Sequence, residues 1–86
     1  MDAPSNLVAN GLPSQVKLNW TAVAGATSYV VKKLVSTSPV RYVPIWSGTT
    51  TTFTDNVPTG QTAYYAVVAS NINGESENAT ADGTAQ

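Results

Sequence analysis

Residues 15–21, QVKLNWT, alternate without a break: Val16, Leu18 and Trp20 are apolar, while Lys17, Asn19 and Thr21 are polar. A period of two puts apolar groups on one side of an extended strand and polar groups on the other, so this segment reads as a half-buried strand. The period recurs along the chain, and no window carries the three-to-four residue spacing of an amphipathic helix. Thr and Ser supply 20 of the 86 residues and Val is the commonest branched aliphatic, a mix that favours strands. Gly11, Gly25, Gly48, Gly60, Gly74 and Gly83, with Pro13, Pro39, Pro44 and Pro58, punctuate the chain at short intervals. The expected fold is an all-β sandwich of two sheets and about seven strands, at 5–10, 15–21, 29–34, 42–46, 50–54, 62–70 and 78–84.

A chain of 86 residues makes one domain with one thin core. Residues 5–84 are expected to form it, with 1–4 as linker and Met1 as the start of a piece cut from a longer chain. The sequence has neither cysteine nor histidine, which removes disulfides, thiolate metal sites and the commonest general base. No cofactor and no metal is expected. Lys17, Lys32, Lys33 and Arg41 are the only cations and lie scattered, so nucleic acid is excluded as a partner. No apolar run is long enough for membrane insertion as a helix. The five carboxylates, Asp2, Asp55, Glu75, Glu77 and Asp82, offer neither a facing catalytic pair nor a calcium cluster. Asp55 is expected to cap a turn, and the chain is not expected to be an enzyme. Asn19 and Asn78 open N-glycosylation triplets, a pattern short enough to arise by chance.

Residues 62–70 break the alternation. Tyr65, Val67 and Ala69 suit a core, yet Tyr64, Ala66 and Val68 make the opposite face apolar as well. Something must cover that second face, or it stands exposed.

Several stretches together resemble the fibronectin type III family. VKLNW resembles its second strand with the core tryptophan, here Trp20, and SYVV resembles its third, with Tyr29 and Val31. NVPTGQTAYYAVVASNINGES resembles its run from an apolar residue through a Gly turn into the sixth strand, placing Val57, Gly60, Val67, Ala69, Asn71, Gly74 and Ser76. The family's corner tyrosine falls on Ala63. Either Tyr64 or Tyr65 replaces it by a local shift, or the corner is held another way; the second is favoured, because a slip would turn Val67 and Ala69 out of the core.

The resemblance implies an immunoglobulin-like sandwich whose first, second and fifth strands form one sheet. Its core would hold Val16, Leu18, Trp20, Tyr29, Val31, Phe53, Tyr65, Val67 and Ala69. The wording WTAVAGATSYVV and TFTDNVPTG is similar to the bacterial branch, whose modules commonly sit in secreted polysaccharide-degrading enzymes and in cell-surface proteins, which implies a spacer or docking role. The partner so implied is a neighbouring domain of the parent chain, with the module itself a monomer. The docking face would be Val30, Leu34, Tyr42, Trp46, Tyr64, Ala66 and Val68, on the third, fourth and sixth strands.

If half of that side-chain area is accessible, the patch spans ~300–500 Å². Covering ~400 Å² contributes roughly 10 kcal/mol by area, against binding costs of ~4–15 kcal/mol that tethering lowers. The alternative is direct contact of Trp46, Tyr42 and Tyr64 with a polysaccharide or a protein partner. The plainest reading is that this is only the module's own strand surface. The loops at 22–27, 49–50 and 72–78, which bind targets in engineered members of the fold, lack aromatic anchors here. On this assignment Trp20→Ala costs about 3–5 kcal/mol and an outward Trp46→Ala about 1 kcal/mol or less.

Overall fold

The structure, a computed structural model, describes residues 2–86; Met1, expected as the start of an excised piece, lies outside them. Eight strands follow in order: β1 Ser5–Leu12, β2 Gln15–Thr21, β3 Ser28–Thr37, β4 Val40–Gly48, β5 Thr52–Asn56, β6 Thr62–Asn71, β7 Gly74–Glu75 and β8 Ala79–Thr84. β1, β2 and β5 form one sheet. The other runs β4-β3-β6-β7, with β8 also paired to β6. All described pairings are antiparallel. The eighth strand is the two-residue β7, which lies within the loop expected at 72–78.

The alternation in β2 does what its spacing requires. Val16 and Leu18 are fully buried and Trp20 is nearly so, while Lys17 and Thr21 are exposed and Asn19 is half-buried. Across the interior, Tyr29 and Val31 of β3 and Tyr65, Val67 and Ala69 of β6 complete the core. Val57, Ala63 and Ala85 join the same cluster, and Phe53 packs on it half-buried. Gly83 lets β8 close on this core, since a Cβ there would sit 2.8 Å from Val16 Cγ1.

The folded unit is longer than 5–84 at both ends. Pro4 is buried, so residues 1–4 are not all linker. Ala85 is 2 % exposed, and Gln86 N–H donates to the Leu12 carbonyl at 2.9 Å while its own carbonyl accepts from Ser14 N–H at 3.0 Å.

The main correction concerns β4. Val31 faces Trp46, but the next residue of β3, Lys32, faces Pro44. Ile45 is therefore an extra residue in β4, a bulge that reverses the phase of the alternation. Tyr42 and Pro44 stay outward opposite Leu34 and Lys32, whereas Trp46 turns inward beside Val31. Its ring lies 6.3 Å from Trp20 and 5.4 Å from Phe53, centroid to centroid. Gly48 makes room: a Cβ there would meet Trp46 Cζ2 at 2.5 Å. Trp46 thus packs into the edge of the core, with its ring on Trp20 and Phe53, instead of standing out from the docking face.

This placement changes the expected energetics. In urea denaturation Trp46→Ala should cost about 2–4 kcal/mol, approaching the ~3–5 kcal/mol of Trp20→Ala. A loss of 1 kcal/mol or less at Trp46 would return the ring to the outside.

Candidate functional site

The outer face of the five-stranded sheet is the surface singled out from sequence, and register lays it out in rows. Tyr42 stands opposite Leu34, and Tyr64, one step from the Tyr65–Lys33 pair, flanks Leu34 on the other side. The next row is Pro44, Lys32, Ala66 and Thr80. The third holds Ser47, Val30 and Val68. A charged side chain, Lys32, therefore sits in the middle of this face.

Burial divides the predicted face further. Tyr64 is 47 % exposed, and Val30, Leu34 and Tyr42 are half-buried. Ala66 and Val68 point outward, yet they are 0 % and 1 % exposed. Both lie in the central strand, Ala66 between Lys32 and Thr80 and Val68 beside Val30, and their neighbours cover them from water. Those two residues cannot contact a partner. A shallow, open depression of about 480 Å³ lies beside them, lined by Val30, Lys32, Pro44, Ser47 and Glu75 and bordered also by Trp46 at the rim of the core; Leu34, Tyr42 and Tyr64 do not line it.

Other exposed apolar residues escaped the sequence reading. Val35 and Val40, at the end of the β3–β4 hairpin, are 56 % and 68 % exposed, and Ile72 in the β6–β7 turn is 98 % exposed. Val35 is set outward by a second irregularity between Leu34 and Ser36. Nothing in the local spacing marks it.

Asp55 does not cap a turn. From β5 in one sheet its Oδ2 accepts from Lys33 Nζ at 2.8 Å and from the Tyr65 hydroxyl at 2.7 Å, both in the other sheet. One carboxylate oxygen thus joins β5, β3 and β6 across the sandwich. Burial, the hydrogen bond to Asp55 and the negative charge of Asp55 all push the Tyr65 phenol above its ordinary value. The corner near Ala63 is held without a tyrosine: Val57 N–H donates to Ser14 O, Gln61 N–H to Pro58 O, and Gly60 N–H to Ala85 O. Tyr65 keeps register with Lys33 and Ala81, so Val67 and Ala69 remain inside.

Among the described residues no three His, Cys, Asp or Glu side chains gather to hold a metal ion. No described helix is long and apolar enough to cross a membrane.

Two packed antiparallel sheets in this strand order define an immunoglobulin-like β-sandwich module. A solved Fn3-like protein from Clostridium thermocellum is 34% identical, with 98% of this chain and 92% of that one aligned at a TM-score of 0.83. The chain belongs to the fibronectin type III family. The structure titled FN3tt superposes at a TM-score of 0.90 with 22% identity, covering 99% of this chain and 94% of that one. A beta-1,2-glucanase from Parabacteroides distasonis contains a region of the same fold, at a TM-score of 0.81 and 23% identity. That region covers 98% of this chain and 12% of the glucanase. No family model matches the sequence, and no curated protein does.

The inter-sheet bridge sets an alkaline limit. Because the folded chain holds the Tyr65 proton more tightly than the unfolded one, its contribution is complete below about pH 9 and declines as pH rises past about 10. The unfolding free energy from urea titrations should then fall, at most by about 1.4 kcal/mol per pH unit from this group alone. Tyr65→Phe should be less stable at neutral pH and should lose that part of the alkaline slope. Equal slopes in the two proteins would remove the linkage.

Proposed function

We propose that this module is a non-catalytic spacer in a secreted or cell-surface multidomain protein acting on carbohydrate, and that it rests against a neighbouring domain through the outer face of β3, β4 and β6. The observation that carries the spacer role is the placing of its two ends. Ser5 pairs with Thr21 at one pole, and Gln86 is bonded to Leu12 and Ser14 at the other. The long axis measures 38 Å. A chain entering at one pole and leaving at the other extends a multidomain protein instead of doubling it back.

Within the outer face, Tyr42, Leu34 and Tyr64 form the apolar stripe best suited to a neighbour. The stripe lies toward the Gln86 pole, since Tyr64 pairs with Asp82 two residues from the Thr62–Thr84 pair. A domain placed there would meet tyrosines that combine an apolar ring with a polar tip. The carbohydrate setting is supported by the glucanase that carries this fold, and more weakly than the spacer role. Direct stacking on a sugar has lost its largest ring, because Trp46 packs on Trp20 and Phe53.

The test uses the isolated module on insoluble cellulose and on chitin. A spacer passes through both, and Tyr64→Ser changes its stability by no more than about 0.5 kcal/mol. Retention that Tyr64→Ser abolishes would replace the spacer by a polysaccharide-binding module.

A further inference from the structure

The chain contains two Asn–Gly steps, Asn10–Gly11 and Asn73–Gly74, and the fold treats them in opposite ways. An asparagine followed by glycine is open to attack by its own backbone, because no Cβ on the second residue blocks the approach and the chain turns freely there. Asn10–Gly11 is locked inside β1, with Asn10 opposite Lys17 and Gly11 opposite Val16. On its other side Gly11 lies hard against the Thr84 carbonyl. The extended ladder keeps the Asn10 side chain away from the following nitrogen.

Asn73 ends the exposed turn after β6, and Gly74 opens the two-residue β7 opposite Asn71, the last pair of a short edge ladder. Ile72, Asn73 and Gly74 are all exposed, Gly74 has φ +131°, and nothing lies within 4 Å of the place its Cβ would occupy. The Asn73 N–H is held by Asn71 Oδ1 at 2.8 Å, which fixes the turn without enclosing the Asn73 side chain.

We propose that Asn73 is a site of spontaneous covalent modification. The Gly74 nitrogen attacks Asn73 Cγ; a new C–N bond forms, the side-chain nitrogen leaves as ammonia, and the proton lost by Gly74 goes with it. Water then adds to one of the two carbonyls of the cyclic imide and opens it to aspartate or isoaspartate. The net change is exchange of an amide nitrogen for an oxygen, with no oxidant or reductant. One added carboxylate takes the formal net charge from −1 to −2.

The isoaspartate product also inserts a methylene into the backbone just before β7. That strand is only two residues long, held by the Asn71–Gly74 and Ser70–Glu75 pairs. Lengthening the turn loosens both pairs and frees Glu75, which lines the depression on the outer face. Ageing of this turn therefore reshapes that depression.

The experiment follows the intact chain by peptide mapping and mass spectrometry at mildly alkaline pH, once in native buffer and once in concentrated urea. In urea the two steps should convert at similar rates. In the native protein Asn73 should convert at least about tenfold faster than Asn10, whose reaction waits on opening of the β1–β2 ladder. The isoaspartate fraction should also show faster amide exchange at Ser76, which donates to Ala69 O next to β7. Native Asn73 persisting as long as Asn10 would overturn the site; unchanged exchange at Ser76 would overturn its effect on the sheet.

Discussion

The packing of Trp46 edge-on against Trp20 is the contact on which the rest of the architecture turns. Trp20 stands at the centre of a thin core, in T-shaped contact with Tyr29 at 5.6 Å on one side and with Trp46 at 6.3 Å on the other. Such pairs add about 0.5–1.5 kcal/mol beyond the area they bury. Trp46 also reaches Phe53, so one ring ties β4 of the larger sheet to β2 and β5 of the smaller. Among the described residues Trp20 Nε1 finds no acceptor in this apolar setting, a cost the surrounding ring contacts must outweigh.

The lower half of the sandwich is joined differently. There the connection is polar, with Asp55 receiving Lys33 and Tyr65 from across the interior. A two-sheet fold of this size has few places to anchor one layer on the other, and these two use different physics. Beyond them, Ala85 and Gln86 bond to the β1–β2 and β5–β6 turns. The Gln86 pole is consequently fixed by backbone hydrogen bonds.

Much of this was legible in the sequence because the signals were local. The alternation at Val16, Leu18 and Trp20 marked a strand and its buried face, and the glycines and prolines marked its neighbours. The facing of Trp46 was not legible by counting, because a bulge is a relation between two strands. Pro44, which cannot donate to a ladder, was the available hint that β4 is an irregular edge. Ala66 and Val68 were assigned to the right side of the sheet, but their coverage depends on what stands beside them. Asp55 is paired with residues 10 and 22 positions away, beyond the reach of turn chemistry.

With Trp46 inside and Ala66 and Val68 covered, the outer face retains Tyr42, Leu34 and Tyr64 as a short stripe beside Lys32. On the proposed reading this stripe makes a small contact with a tethered neighbour, which costs less to form than capture of a free ligand. Everything in that view depends on which way one indole points. Proton NOEs in the unmodified chain read this directly: the account predicts strong cross-peaks from the Trp46 ring to the Phe53 ring and to the Gly48 Hα. Cross-peaks from that ring to the Val30 and Lys32 side chains in their place would put Trp46 on the outside and contradict it.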